Sequence, residues 1–187
     1  MSQPPVPMVG FCAWSGTGKT TLLTQLLPLM VEQGLKVAVV KHAHHTFDID
    51  HPGKDSYELR EAGASQMLIA SHKRMALITE FDEGRGEPSL AEALSGLNMQ
   101  DLDLILVEGF KHENFKKIEL HRPEMNKTLF FPDDSNIIAI ASDAPIPENR
   151  NILPKLNLNN PQQIVQFILD NIIADTTAVA ASGAVQP

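Results

Sequence analysis

The amino-acid sequence predicts an α/β fold in which a mainly parallel β-sheet is covered by helices on both faces. Short apolar runs alternate with segments of helical periodicity, and these runs lack the in–out alternation of a sheet with one solvated face. Two further strand-like runs, separated only by His72 and Lys73, predict an antiparallel hairpin that extends the sheet at its edge. In open sheets of this class, ligands bind at the carboxyl ends of the strands.

Each predicted element has its own sequence signal. Seven runs have strand character: residues 8–13, 35–41, 66–71, 74–80, 101–110, 116–122 and 136–143. Four segments have helical character: residues 19–33, 56–62, 88–97 and 160–174. Gly34 and Gly63 end the first two helices, and Pro28 predicts a kink or a local loosening inside the first. Asn160 is the predicted N-cap of the last helix, with Pro161 at its first position.

Composition narrows the class of protein. The 187 residues, 43% of them apolar and 20% charged, predict one globular nucleotide-binding domain over residues 1–174 and a disordered tail over 175–187. The net charge of -8, without a basic stripe, argues against general nucleic-acid binding. No apolar run approaches the roughly 18 residues of a membrane span. The single cysteine and an N-terminus without a signal-peptide pattern make the cytoplasm the expected location.

The segment Ala13–Thr20, "AWSGTGKT", matches the phosphate-binding loop pattern, with Ala13 in place of the usual first glycine. Gly16 and Gly18 permit the backbone dihedrals that turn successive N–H groups toward a phosphate. Lys19 would reach the β- and γ-phosphates, and the helix N-terminus favours an anion. The segment lies between a predicted strand and a predicted helix, and this position disfavours the alternative, a glycine-rich turn with an exposed lysine. The expected fold is therefore three-layered and similar to P-loop NTPases.

The hydroxyl and acidic residues near this loop are candidate ligands of Mg²⁺ and nucleotide. The Thr20 hydroxyl is placed to bind Mg²⁺, and Ser15, Thr17 and Thr21 complete the predicted loop contacts. Glu108 ends the run "DLDLILVEG", at the carboxyl end of a predicted strand, where it could hold Mg²⁺ through a water or orient an attacking water. The alternative is a carboxylate that caps nearby amides. Asp103 would lie roughly 17 Å away at the opposite strand end.

A polar loop, "KHAHHTFDIDHPGKDS", follows the second predicted strand and should lie beside the phosphate loop. We interpret it as a switch-like loop in which Asp48 or Asp50 joins the Mg²⁺ shell or acts in catalysis. Lys54 and a histidine would meet phosphate or a second ligand. A metal-binding loop and a plain solvated loop are the alternatives.

Taken together, four segments resemble the MobB family, the molybdopterin-guanine dinucleotide biosynthesis protein B family. They are "AWSGTGKTTLL", "VVKHAHHTFDIDHPGKDSYELREAGA", "LDLILVEGFKH" and "IIAIASD", and the resemblance covers about residues 8–172. It implies a homodimeric, cytoplasmic, GTP-binding accessory protein with weak GTPase activity at most. The family acts beside the MobA guanylyltransferase, which joins GMP from GTP to molybdopterin. Residues 16, 18–21, 108 and 109 fall on the family's two nucleotide motifs.

Recognition of guanine has no familiar signature in this chain. The Asn-Lys-x-Asp motif of many GTPases is missing, because "NKTL" at residues 126–129 has Leu129 in place of the acid. A carboxylate still suits guanine, since it accepts from N1–H and the 2-amino group together. Asp143, just past "IIAIAS", is the candidate, and stabilisation of the turn before Pro145 is its alternative role. Lys111 and His112 are candidate contacts for the molybdopterin phosphate or the partner enzyme.

Two other functions remain open from the sequence, a small-molecule kinase of the P-loop class and a metal-delivery GTPase. The kinase would use Asp48 or Asp50 as its base, and the histidine-rich loop suggests the metal carrier. We expect no arginine in the proposed active loops, since Arg60 lies past the polar loop and Arg74 and Arg85 belong to the hairpin region. Without such an arginine, charge on a transferring phosphoryl group is poorly stabilised, which favours slow hydrolysis.

Overall fold

A computed structural model describes residues 6–43, 47–82, 84–146 and 153–174. The chain divides into two compact units, Met1–His42 with Ser89–Pro187, and Ala43–Pro88. The single domain expected over residues 1–174 stays a prediction, and the tail expected at residues 175–187 lies outside the described residues.

The first unit contains a six-stranded sheet in which all neighbouring strands are parallel. Its strands are β1 (Met8–Cys12), β2 (Val37–Lys41), β5 (Leu104–Glu108), β6 (Lys117–His121), β7 (Ile137–Ser142) and β8 (Lys155–Asn157). They are arranged in the order β2-β5-β1-β6-β7-β8, so the first strand lies in the middle of the sheet between β5 and β6. The loops that follow β1, β5 and β6 therefore leave the same edge side by side.

Helices cover both faces of this sheet, as predicted. Helices α1 (Lys19–Glu32) and α4 (Pro161–Ile168) pack on one face, where Leu104 and Leu106 of β5 point. Helix α3 (Leu90–Ser95) contributes Leu90 to a second apolar cluster, which contains Ile105 and Val107. Alternate residues of β5 thus enter opposite clusters, which explains why this strand reads as one unbroken apolar run. The three-layer fold class is confirmed.

Helix α1 runs unbroken through Pro28, and the kink or local loosening expected there stays a prediction. Pro28 is exposed, and only one intrahelical hydrogen bond, to the Thr24 carbonyl, is lost at its position. Because that carbonyl lies in the solvated part of the helix, water can replace the missing donor. The helix ends where predicted, with Gln33 as C-cap and Gly34 at a φ of 82°.

The C-terminal helix begins as the sequence predicts. Asn160 is the N-cap, its Oδ1 accepts the Gln163 N–H at 3.1 Å, and Pro161 is the first helical residue. The α-helix ends at Ile168 and continues as a π-helical turn over Leu169–Ile173. The strand before it, β8, was not predicted, because three residues with one buried side chain show no usable alternation.

The second unit contains helix α2 (Asp55–Glu61) and a hairpin of β3 (Gln66–Ala70) and β4 (Met75–Thr79). The antiparallel hairpin is confirmed, with Leu68 opposite Leu77. Its predicted place at the edge of the parallel sheet is wrong, because β3 and β4 form a separate two-stranded sheet. The pairing of the two strands is fixed by their short turn, which holds regardless of any larger sheet.

Within the four described ranges, the protein contains no helix with the length and apolar character needed to cross a bilayer.

Candidate functional site

The loop between β1 and α1 has the backbone that its glycines predict. Gly16 has a φ of 82° and Gly18 a φ of 100°, both in the left-handed region that favours glycine. Gly18 is the N-cap of α1, and no side chain caps the helix there. The first N–H groups of α1 are therefore left to a ligand or to water. The Lys19 ammonium folds back over the loop and donates to the Ala13 carbonyl at 3.1 Å.

The residues of the first turn of α1 are accessible at this loop. Thr20 and Thr21 are exposed, as are Ser15 and Gly16, whereas Thr17 is buried. The Thr17 hydroxyl donates to the Trp14 carbonyl at 2.8 Å, which closes a tight turn inside the loop. Thr17 therefore supports the loop through its side chain, and the exposed hydroxyls are the ones that can meet a ligand.

A segment that follows β6, residues 122–131, packs against the loop and was missed by the sequence analysis. The Trp14 indole donates to the Thr128 carbonyl at 2.8 Å, and its ring stacks on Phe130 with centroids 5.0 Å apart. Buried Glu119 of β6 anchors the end of this segment, accepting the N–H groups of Phe130 at 2.8 Å and Phe131 at 3.0 Å. Burial raises the pKa of Glu119, and these two amides oppose that effect. No local sequence signal marks this contact, because it depends on β1 and β6 being neighbours in the sheet. The order of the strands along the chain does not reveal that they are neighbours.

No arginine is expected in the proposed active loops, but the Arg122 side chain reaches one of them from the end of β6. Its Nε donates to the Thr17 carbonyl at 2.9 Å, and its guanidinium forms an ion pair with Asp143. The reason is topological: Arg122 directly follows β6, and β6 lies between β1 and β7. Its side chain thus reaches both the loop that follows β1 and the residue that follows β7.

Glu108 lies where the sequence predicts, at the carboxyl end of β5 and opposite Phe11 of β1. Its carboxylate is 3.9 Å from the Lys41 ammonium, a cation at the end of the neighbouring strand β2. The side chain is mostly buried, so the pair forms part of the sheet edge that bears the phosphate loop. At the other end of β5, Asp103 accepts the Lys36 N–H at 2.7 Å, which confirms that the two acids serve different places.

Gly109, the residue after Glu108, is required by close packing. A Cβ there would lie 2.6 Å from the His42 Cβ, and its φ of 95° also disfavours other residues. The His42 N–H donates to the Glu108 carbonyl at 2.8 Å, and the His42 ring stacks on Phe110. The carboxyl ends of β2 and β5 are therefore held together by main-chain and ring contacts.

Asp143 lies just past the carboxyl end of β7, as predicted, and its carboxylate is bound by Arg122. The turn before Pro145 is stabilised by a different residue, since the Ser142 hydroxyl donates to the Ala144 carbonyl at 2.8 Å. The alternative role considered for Asp143 therefore falls to Ser142. Its role in reading guanine stays a prediction.

Lys111 and His112 line a cavity of about 420 Å³ in the first unit. Its other lining residues are Cys12, Asn114, Lys117, Phe130, Asp133, Asp134, Ser135 and Asn136. The buried Lys117 ammonium donates to the Lys111 carbonyl and to Asp134, both at 2.9 Å. Burial acts to raise the pKa of Asp134, but hydrogen bonds from Lys117 and Asn136 outweigh it and lower that pKa. The cavity abuts the phosphate loop through Phe130, which stacks on Trp14.

The second unit holds Asp48, Asp50 and Lys54, the remaining candidates from the polar loop. Arg60 binds both oxygens of Asp48, at 3.0 and 3.2 Å, its Nε lies 3.9 Å from buried Asp50, and it also pairs with Glu80. Arg60 lies in α2, past the polar loop as the sequence indicates, and its side chain reaches back to the two aspartates of that loop. Lys54 is exposed at the N-cap of α2.

The metal-binding interpretation of the polar loop receives no support from the described part of the chain. It contains no group of three or more His, Cys, Asp or Glu side chains arranged to hold a metal ion. His44 and His45 lie outside the described residues. The expected position of the polar loop beside the phosphate loop stays a prediction.

Comparison with known proteins adds a family to this geometry. The family described as molybdopterin guanine dinucleotide synthesis protein B, MobB, matches residues 8–143. The chain is 44% identical to the molybdopterin-guanine dinucleotide biosynthesis adapter protein of Escherichia coli K12, over 88% of this chain and 93% of that protein. It is 40% identical to the protein of the same name in Haemophilus influenzae, over 87% and 88%. The crystal structure of Bacillus subtilis MobB superposes with a TM-score of 0.67 and 26% identity, over 89% and 98%.

Proposed function

Because this chain belongs to the molybdopterin guanine dinucleotide synthesis protein B (MobB) family, we propose that it is an adapter in molybdopterin-guanine dinucleotide biosynthesis that binds GTP with Mg²⁺. The observation that carries this proposal is the loop from Ala13 to Gly18, which has left-handed glycines and an uncapped helix N-terminus. The relatives named above, both called adapter proteins, supply the pathway.

In this proposal the polyphosphate lies in the loop. The amides after Gly16 and Gly18 donate to phosphate oxygens, and Lys19 leaves the Ala13 carbonyl to reach the β- and γ-phosphates. The exposed Thr20 hydroxyl and the Glu108 carboxylate would hold Mg²⁺, Glu108 through a water. When bound, the ion neutralises charge on the phosphate oxygens. These residues fit the group because hydroxyl and carboxylate oxygens are the ligands that Mg²⁺ prefers.

An adapter role requires GTP binding more than GTP hydrolysis. The contacts of Arg122 are consistent with binding without rapid hydrolysis. Arg122 is engaged by the Thr17 carbonyl and by Asp143, so its guanidinium is not free to move onto a transferring phosphoryl group. A GTPase without a mobile arginine or a partner to supply one hydrolyses slowly. The proposed activity is therefore weak hydrolysis at most, in a cytoplasmic protein whose nucleotide state matters to a partner.

The cavity that Lys111 and His112 line is the proposed meeting point with the molybdopterin phosphate or with the MobA-type guanylyltransferase. Its volume of about 420 Å³ falls in the range of small-ligand sites. Lys111 and His112 are both exposed at its mouth, where they can meet an anionic group. Replacing both with alanine should abolish stimulation of cofactor assembly by the guanylyltransferase, and unchanged stimulation would contradict the assignment.

We also propose a homodimer, formed through the hairpin of the second unit. Leu68 and Leu77 face each other on one side of the hairpin and are each 57% exposed, and Met75 on the same side is 69% exposed. A two-stranded hairpin with a bare apolar face is marginal in water. An apolar patch of this kind marks an interaction surface.

The nucleotide proposal is tested by titrating the protein with GTP, ATP and GMP, each with and without Mg²⁺. We expect GTP to bind most tightly and Mg²⁺ to strengthen its binding. The variant Lys19→Ala should weaken GTP binding by roughly 2–3 kcal/mol, because a charged hydrogen-bonding partner of the phosphates is lost. Lys36→Ala is the matched control, since Lys36 is an exposed lysine paired with Asp101 at the opposite edge of the sheet.

Two results would contradict the proposal. One is unchanged GTP affinity in Lys19→Ala, which would place the nucleotide elsewhere. The other is steady phosphoryl transfer to a pterin or nucleoside without a partner protein, which would favour the small-molecule kinase.

A further inference from the structure

We propose that Arg122 is a positioning residue for guanine recognition, because its guanidinium fixes the Asp143 carboxylate relative to the phosphate loop. This inference rests on the proposed binding of GTP at that loop. It adds a second residue, Arg122, to the recognition of the base by Asp143. It also identifies the link between the phosphate loop and Asp143 as a guanidinium that binds both.

The first argument is the path of the side chain. Arg122 directly follows the carboxyl end of β6, the strand between β1 and β7. The two groups that its side chain contacts follow these two flanking strands. Nε donates to the Thr17 carbonyl inside the phosphate loop, and Nη1 donates to Oδ2 of Asp143 after β7. One planar group thus connects the loop that would hold the phosphates to the carboxylate suited to the base.

The second argument is rigidity. The Arg122 side chain is 30% exposed and that of Asp143 only 16%, so the ion pair is partly withdrawn from water. Charge-assisted hydrogen bonds of a planar guanidinium restrict the orientation of their acceptor as well as its distance. Thr17 is itself fixed, because it is buried and its hydroxyl donates to the Trp14 carbonyl. The carboxylate is therefore held on a frame built from three adjacent strand ends.

The third argument is reach. Nε and Nη1 of the same guanidinium bind the Thr17 carbonyl and the Asp143 carboxylate, so the carboxylate lies within the reach of one planar group from the loop. A nucleotide whose phosphates occupy the loop can therefore bring its base to this carboxylate. A carboxylate offers about four lone-pair sites, so Asp143 can accept from Arg122 and also from N1–H and the 2-amino group of guanine. Arg122 and the base would then share one carboxylate.

The test is base discrimination, measured as the ratio of affinities for GTP, inosine triphosphate and ATP. Inosine lacks the 2-amino group that a carboxylate reads, so the ratio of GTP to inosine triphosphate reports the Asp143 contact. We expect Arg122→Met, which keeps the aliphatic stem, to lower this ratio at least about threefold by freeing the carboxylate. Asp143→Asn should lower it at least about tenfold and raise affinity for xanthosine triphosphate, which offers an acceptor where guanine offers a donor.

A purely structural role of Arg122 predicts a different pattern. If it only supports the loop, Arg122→Met weakens all three nucleotides by the same factor, and this result would overturn the inference. The double variant should discriminate no worse than Asp143→Asn alone, because Arg122 acts through Asp143. Additive losses of discrimination in the double variant would also overturn it. Arg74→Met, an arginine of the hairpin turn, is the matched control and should leave the ratio unchanged.

Further measurements distinguish a failure of this inference from a failure of the variant to fold and from a failure of the proposed function. Arg122→Lys keeps a charge but has no planar fork, so it should fold where Arg122→Met does not and still show a reduced ratio. Retention of the full ratio in a folded Arg122→Lys protein would overturn the inference. If the unaltered protein binds no GTP, the proposed function fails. If it binds GTP and Asp143→Asn leaves discrimination intact, only the inference fails.

Discussion

Lys117 and Cys12 show how strongly single positions in this protein depend on their neighbours. Lys117 is the first residue of a strand and almost wholly buried, and its ammonium is satisfied by Asp134 and the Lys111 carbonyl. The neighbouring Gly10 makes room chiefly for Phe115, because a Cβ at Gly10 would lie 2.3 Å from the Phe115 ring but 3.3 Å from the Lys117 stem. A charged residue in a strand reads from sequence as solvent-facing. Here the two acceptors, which lie outside the strand, compensate the burial of the ammonium.

At the same scale, we predict that Cys12 makes stability depend on alkaline pH. Burial, with the nearby Glu119 carboxylate, raises the pKa of the Cys12 thiol from 9.0 to about 12. Because the folded pKa is the higher one, the contribution is fully present below pH 9 and is lost as pH rises toward 12. Between pH 8 and pH 10.5, the free energy of unfolding should fall about 2 kcal/mol more in the unaltered protein than in Cys12→Ala.

Urea unfolding at the two pH values measures this difference. All other titrating groups are present in both proteins, so their contributions cancel when the unaltered protein is compared with Cys12→Ala. Parallel losses of stability in the two proteins would show that the thiol is not withdrawn from solvent.

At the scale of elements, α4 illustrates a local signal that survives in the folded protein. The Asn160 side chain accepts the Gln163 N–H, and the helix then buries Ile164, Val165 and Ile168 against the sheet. We predict that Asn160→Ala lowers the free energy of unfolding by about 1 kcal/mol, since an N-terminal amide loses its acceptor. Asn159→Ala is the control, because only the main-chain N–H of Asn159 is engaged, by Asn157. Equal destabilisation by both variants, measured by urea unfolding, would argue against capping as the cause.

Strand β8 and the hairpin are the elements for which local sequence was a poor guide. Three residues suffice for β8 because β7 supplies the hydrogen-bonding edge and α4 covers Leu156. The hairpin, by contrast, has a clear local signal, yet its strands pair only with each other among the described residues. Pairing across a short turn is local, whereas joining a sheet depends on which edges lie nearby.

At the scale of the whole molecule, the proposed dimer makes one prediction. Leu77→Lys places a charge on the bare face of the hairpin and should shift the protein from dimer to monomer at micromolar concentration, because a charge cannot be buried unpaired at low cost. Sedimentation analysis measures this change. Val31→Lys on α1 is the matched control, since Val31 is 63% exposed and lies in the other unit.

A monomeric unaltered protein, or a Leu77→Lys variant that remains as dimeric as the control, would exclude the hairpin as the dimer surface. A monomeric Leu77→Lys variant that still binds GTP would separate assembly from nucleotide binding.

The sequence by itself determined the fold class, the left-handed glycines of the loop between β1 and α1, and the starts of the first and last helices, because glycine dihedrals, capping residues and apolar periodicity act over a few residues. It also placed Glu108 and Asp143 at the correct strand ends, since strand direction follows from the α/β pattern. Only the tertiary structure decided that Arg122 joins Thr17 to Asp143, that Glu119 anchors the segment beside Trp14, and that Arg60 holds Asp48. The first two contacts depend on which strands become neighbours, because packing of the whole sheet brings together residues more than 100 positions apart, as for Arg122 and Thr17. The third depends on how α2 folds back on the loop that precedes it.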